Sequence, residues 1–229
     1  MPLRFLSSIE ELDERAARDV CLIKGAVDKG LCERLIDGLT AWRHGRDSNQ
    51  GRGANWWYRV NTEGSDLNNF LFYDLLAVTP LGLREDLLLV YRMLFEGHQR
   101  CGTLSADNRF EELLAGRGEH PSLSPLVFHY PPGTGSFRRH SHPQRIQVSQ
   151  LLVNVTKRGR DYLGGETLIE EADGRLVSLG ECFDQGDMFA FPFNLFHSVK
   201  RVDAAAADSI GRISVLMPFH VRTDTEIRY

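Results

Sequence analysis

The sequence contains no CxxC pair. Its four cysteines, Cys21, Cys32, Cys101 and Cys182, are scattered, which excludes a zinc ribbon and a thioredoxin-like redox motif. They are expected to be reduced and mostly buried. There is also no excess of basic charge: 27 Lys and Arg stand against 31 Asp and Glu, giving a formal charge of −4 and an isoelectric point near 6.1. Nucleic acid is therefore not an expected partner, because binding phosphate needs a concentrated basic face. The N-terminus lacks a long apolar run, and "MPLRFLSSIEELDERAARD" turns acidic by Glu10. It reads as neither a signal peptide nor a membrane anchor, so a cytoplasmic protein without a membrane partner is expected. Internal repeats and low-complexity segments are missing as well, apart from the loop-sized "DAAAAD" at 203–208.

What is present is an ordinary globular composition, 42% hydrophobic and 25% charged over 229 residues, enough for a normal core. One domain over 1–229 is expected, since β-barrels and sandwiches often reach this length. Helices are predicted to dominate residues 1–120. "SSIEELDERAARD" places Ser before an acidic first turn, and "DKGLCERLIDGLTAWRH" puts Leu31, Leu35 and Leu39 on one helical face. Between them "VCLIKGAV" reads as a short strand. The glycine-edged, aromatic stretch 51–64 reads as a loop or short strand beside a cleft, with Trp56, Trp57 and Tyr58 as pocket-wall candidates. Residues 67–101 are apolar on several sides and read as one or two helices packed on a sheet. From Ser124 the texture changes to short β-rich runs separated by Gly, Pro and Asp, the pattern of an antiparallel barrel or sandwich. The fold class expected is α+β with a mainly β core over 121–229, buttressed by the N-terminal helices.

Candidate chemistry lies in "FRRHSHPQ". Residues two apart on an extended strand point to one side, so His140 and His142 project together. His197 opens the later run "HSVKRV". Each histidine alone would read as an ordinary surface or capped core residue, but on neighbouring strand ends the three imidazoles would form a metal site with open positions. Further on, Arg212 and Ser214 alternate onto one strand face, a clamp suited to a carboxylate. Arg138, Arg139 and Arg145 bracket the histidines and read either as a local anion site or as solvated surface.

The ordered runs "YPPGTGSFRRHSHPQ", "QVSQLLVNVT", "YLGGETLI", "GDMFAFPFNLFHSVKRV" and "GRISVLMPF" resemble the iron(II)/2-oxoglutarate-dependent oxygenases, most closely the prolyl-hydroxylase branch. The resemblance covers 126–219 well and the first half only in outline. It implies a double-stranded β-helix, a jelly-roll or cupin-like barrel, with Fe(II), 2-oxoglutarate and O2. His140 matches the first metal ligand and His197 the distal one. Arg212, assisted by Ser214, matches the residue that pairs the distal carboxylate of 2-oxoglutarate, and Tyr130 matches a tyrosine that meets the same co-substrate in some relatives.

Position 142 departs from the family pattern, since histidine stands where the family carries Asp or Glu. Either His142 is a third neutral ligand, or it does not ligate and leaves an open position, or metal and activity have been lost. Glu166 and Asp187 are the carboxylates that could restore the usual set. The resemblance implies an oxygenase that hydroxylates, or carries out a related C–H oxidation of, a small metabolite or natural-product intermediate. The alternatives are a three-histidine iron enzyme using O2 without 2-oxoglutarate and a non-catalytic ligand-binding barrel. Among partners, a small-molecule substrate is expected, and a homodimer is left open.

Overall fold

Period-two alternation along the longest strands sorts their side chains onto two faces, and each face is covered by a different layer. The structure, a computed structural model, describes residues 3–44, 57–62, 64–71, 81–115, 122–123, 125–142 and 147–220. Strands β1 (Arg4–Leu6) and β2 (Cys21–Ile23) precede helix α1 (Lys29–His44). Strands β3 (Trp57–Thr62) and β4 (Ser65–Leu71) follow, then helices α2 (Leu81–Arg100) and α3 (Phe110–Ala115). The remainder is strand and connection: β5 (Ser122–Leu123), β6 (Leu126–Tyr130), β7 (Phe137–His140), β8 (Ser149–Asn154), β9 (Leu163–Gly164), β10 (Thr167–Glu170), β11 (Leu176–Ser178), β12 (Met188–Pro192), β13 (Phe196–Val199), β14 (Val202–Asp203), β15 (Arg212–Leu216) and β16 (Phe219–His220).

The large sheet runs β1-β2-β12-β8-β15-β6-β4-β3 and the smaller one β11-β10-β13-β7; β14-β9 and β16-β5 form two-stranded pairs. Apart from the parallel β1–β2 edge, the pairings between these strands are antiparallel. On one face of the large sheet, Val127, Leu151, Val153, Met188, Ala190, Ile213 and Val215 pack with Leu35 and Leu39 of α1 and Leu87, Val90 and Leu94 of α2. The alternate residues of those strands face the small sheet in two separate clusters. Leu22, Phe189 and Phe191 meet Ile169 and Leu179 in one, and Leu67 and Tyr130 meet Val199 and Val202 in the other. Each such side chain contributes about 1.5–3 kcal/mol when fully buried. The molecule is thus mainly β, with antiparallel sheets and few helices, the helices lying on one side.

Helix α1 forms on the run whose Leu31, Leu35 and Leu39 were expected on one helical face. The Asp28 carboxylate accepts the Leu31 N–H at 3.1 Å, an N-terminal cap that satisfies an otherwise orphan donor. Two expectations need correction. "SSIEELDERAARD" forms two single 3-10 turns, Ile9–Glu11 and Ala16–Arg18, not one helix; the Asp13 carboxylate bonds the Ala16 N–H at 2.6 Å and restarts the chain there. In addition, the apolar run read as helical from residue 67 begins as strand β4, paired with both β3 and β6. The described part of 1–120 is therefore less helical than expected, and the four strands it contains extend the large sheet at both edges. Trp56 and Arg145 lie outside the described residues, and Trp57 and Tyr58 are described only through their backbone in β3.

Candidate metal centre

The small sheet brings the three histidines together. His140 on β7 is the direct cross-strand partner of His197 on β13, so a long stretch of intervening chain is closed by one antiparallel pair. Between them the register slips: Phe137 opposes Val199 while His140 opposes His197. The extra residue on β7 is a bulge, which lets Phe137 and His140 face the same way although they are three apart. Their rings lie 4.2 Å apart. His142 follows two residues beyond the strand, its ring centroid 4.9 Å from that of His140 and 5.4 Å from that of His197. One nitrogen from each imidazole falls within 4.8 Å of the other two.

Hydrogen bonds fix which nitrogen of two of these rings is available. Nδ1 of His140 lies 2.9 Å from the Arg138 carbonyl, and Nδ1 of His197 lies 2.9 Å from the Leu195 carbonyl. A carbonyl only accepts, so both Nδ1 atoms carry the proton and both Nε2 atoms keep a lone pair. His142 has no such bond among the described residues; it is stacked on Phe193 at 4.4 Å with the planes 13° apart. Burial lowers the pKa of His140; the hydrogen bond to the Arg138 carbonyl opposes this, and the Arg138 charge adds a smaller lowering effect. Burial and the neighbouring His140 lower His142 to about 4 and His197 to about 3. All three are neutral near pH 7, the state in which imidazole binds metal.

No carboxylate joins the cluster among the described residues. Glu166 is drawn toward Arg158 and Lys200, and Asp187 bonds Lys24, the Gly25 N–H and the Asp184 N–H. Neither restores an acid to the site. Arg139 is likewise committed: it pairs with Glu170 through two nitrogens and lies 3.6 Å over the Phe196 ring. It is on the outer side of the sheet and does not form an anion site with the histidines.

Arg212 and Ser214 emerge on the inner face of the large sheet, each only 2% exposed. One guanidinium nitrogen donates to the Gly165 carbonyl at 2.6 Å, yet Nε of Arg212 and Oγ of Ser214 have no partner among the described residues. Among the described residues no carboxylate neutralises Arg212. A buried, unpaired charge costs several kcal/mol, so this is a place shaped for an anion. Tyr130 is the cross-strand partner of Arg212, its ring 5.6 Å from the guanidinium carbon, and its burial pushes the phenol up to about 12 against the pull of Arg212. Asn154 and Tyr162, not singled out in the sequence, complete this polar interior. Their signal was faint, since a strand-end Asn and a Tyr before Gly-Gly are common packing residues.

These features lie on the fold of the prolyl hydroxylases and other 2-oxoglutarate-Fe(II) oxygenases, as the resemblance over 126–219 implied. A Pseudomonas putida prolyl-4-hydroxylase superposes with a TM-score of 0.63 at 13% identity, covering 94% of this chain and 99% of that one. A Trichoplax adhaerens prolyl hydroxylase, solved with a peptide of the hypoxia inducible factor oxygen degradation domain, gives 0.60 at 13%, covering 93% and 89%. The dioxygenase for auxin oxidation from Arabidopsis thaliana, in complex with 2-oxoglutarate, gives 0.57 at 11%, covering 100% and 95%. No protein-family model and no curated protein sequence matches the chain. Among the described residues no helix is long and apolar enough to cross a membrane.

Proposed function

We propose that the protein is a non-haem iron(II), 2-oxoglutarate-dependent oxygenase, a single domain built on a double-stranded β-helix, with an unusual three-histidine metal site. One observation carries the reading. The inter-sheet space holds both three neutral imidazoles with converging nitrogens and a buried arginine and serine whose Nε and Oγ have no partner among the described residues. The donor set suits the proposed groups: imidazole binds iron well, and a guanidinium beside a hydroxyl suits a carboxylate.

His140, His142 and His197 would hold the metal, and Arg212, Ser214 and Tyr130 the distal carboxylate of 2-oxoglutarate. Bound iron supplies the activation of O2 that couples decarboxylation of the co-substrate to oxidation of a C–H bond. The chain's own work is to position groups and exclude water. Arg138 and Leu195 lock two imidazoles in the ligating tautomer, and Phe193 holds the third by stacking. Phe137 and Phe191 pack against His140 and His197, at 4.2 and 4.9 Å between rings, and keep the surroundings of low polarity. With three neutral imidazoles and no carboxylate, His140, His142 and His197 would leave a bound iron one more positive charge than the usual ligand set, and so a stronger Lewis acid. A small metabolite or natural-product intermediate is the proposed substrate. Use of O2 without 2-oxoglutarate would leave Arg212 and Ser214 with nothing to bind.

The test is anaerobic reconstitution with Fe(II), followed by admission of air in the presence of 2-oxoglutarate. Metal-dependent release of succinate is expected, and its absence from iron-loaded protein would refute the reading. His197→Ala should lose iron in the same metal analysis.

A further inference from the structure

Four buried side-chain atoms that have no partner among the described residues lie on strands facing each other between the sheets: Arg212 Nε, Ser214 Oγ, Asn154 Oδ1 and Thr167 Oγ1. Asn154 is the cross-strand partner of Ser214, and Thr167 lies two residues beyond Gly165, whose carbonyl holds Arg212. The orientation of the Asn154 amide is settled by its surroundings. Its nitrogen donates to the Thr156 carbonyl at 2.7 Å, a bond that a flipped amide oxygen could not make. The same nitrogen donates to the Tyr162 hydroxyl at 3.3 Å. Tyr162 Oη is therefore an acceptor toward Asn154, and its own proton must be directed elsewhere.

Tyr162 is 2% exposed, and its ring lies beside Gly165: a Cβ placed on that glycine would stand 3.6 Å from two of its ring carbons. Burial raises the phenol's pKa, and Arg212 is the largest influence pulling it down. The hydroxyl thus stays protonated, within the field of an uncompensated guanidinium, with no acceptor among the described residues. Tyr162, Ser214 and Arg212 together offer donors, while the open oxygens beside them, Asn154 Oδ1 and the Thr167 and Ser214 hydroxyls, are neutral and leave the guanidinium charge unmatched. Such an unmatched charge among donors in a buried site selects an anion.

The geometry points to Tyr162 as a further carboxylate-binding residue, and to Asn154 as the residue that positions it. This rests on the 2-oxoglutarate reading: the anion is the distal carboxylate of that co-substrate, held by Arg212 and Ser214 and by the Tyr162 hydroxyl. Recognition of a dicarboxylate, as distinct from any 2-oxo acid, would then depend on a tyrosine on the Gly-Gly turn.

Calorimetric titration of the anaerobic Fe(II) protein with 2-oxoglutarate, and separately with 2-oxobutyrate, which lacks the distal carboxylate, tests this. Tyr162→Phe keeps the buried ring and removes one hydrogen bond to a charged group. It should weaken 2-oxoglutarate at least about tenfold while leaving 2-oxobutyrate and iron affinity unchanged. Asn154→Ala should weaken 2-oxoglutarate less, and adding it to Tyr162→Phe should cost nothing more. Unchanged 2-oxoglutarate affinity in Tyr162→Phe, or equal losses for both acids, would overturn the role of Tyr162 while the wild-type preference for the dicarboxylate upheld the parent reading. A wild-type protein with no such preference would overturn both.

Discussion

His98 shows how far a single buried group can govern stability. It is fully buried on α2, with Nε2 3.0 Å from the Met217 carbonyl. Burial lowers its pKa to about 4, and the carbonyl only partly opposes this. Between pH 6.5 and 4 the unfolded chain takes up a proton that the folded chain refuses, so the stability from neutral His98 is full above pH 6.5 and is lost as pH falls toward 4. Urea unfolding at pH 7 and pH 5 should show a loss in the wild type roughly 2 kcal/mol larger than in His98→Gln, following from about 1.36 kcal/mol per pKa unit. The histidines of the metal cluster titrate in both proteins and cancel in the comparison. Equal losses would mean that His98 takes up its proton in the folded state. At this scale the sequence was most legible where spacing itself was the signal: His140 and His142 stood out as residues two apart, His197 as the histidine opening a later strand, and Arg212 and Ser214 as an alternating pair on one strand. His98 did not, because one histidine in a long apolar helix looks like any residue at a helix edge. Asn154 and Tyr162 gain meaning only from a hydroxyl, an amide and a guanidinium brought together by pairing between distant strands.

Among the elements, the Gly-Gly turn between β9 and β10 binds the arginine strand to the small sheet. Gly164 and Gly165 both have positive φ, 62° and 63°, a conformation that glycine adopts without penalty. A Cβ on Gly165 would also stand 2.8 Å from Val202 Cγ2, whereas Gly159, with φ 83°, has open space around it. Gly159→Ala should therefore cost only the backbone penalty of about 1 kcal/mol, and Gly165→Ala about 1–3 kcal/mol more for the overpacking. Urea midpoints of the two variants make the comparison, and equal losses would show that the turn at 165 has room to adjust. The strands after Ser124 were legible because alternation and punctuation are local signals: "DMFAFP" and "RISVL" became β12 and β15 much as written. Residues 65–71 were not, because the apolar run after Leu67 has no clear period of two; its pairing with β6 is a tertiary choice that overrides local preference. The bulge in β7 was also invisible, since a single extra residue leaves no mark on composition.

For the whole molecule, the arrangement of layers determines how ligands act on stability. The histidines belong to β7, β13 and the segment just after β7, all on the small sheet side, while Arg212 and Ser214 belong to β15 of the large sheet. On the proposed function, metal alone ties together parts of the small sheet, and 2-oxoglutarate spanning metal and Arg212 joins one sheet to the other. A ligand at a hundred times its Kd stabilises the folded state by about 2.7 kcal/mol, which for a chain of this size is roughly 5–10 °C in Tm. Anaerobic melting should give one increment on adding Fe(II) and a second on adding 2-oxoglutarate, the second present only when the metal is bound. Arg212→Ala should keep the first increment and lose most of the second, and His197→Ala should lose both. If 2-oxoglutarate stabilised Arg212→Ala as fully as the wild type, its carboxylate would have to be held elsewhere. The bridge between the sheets would then not exist, and the unpaired guanidinium would need another explanation.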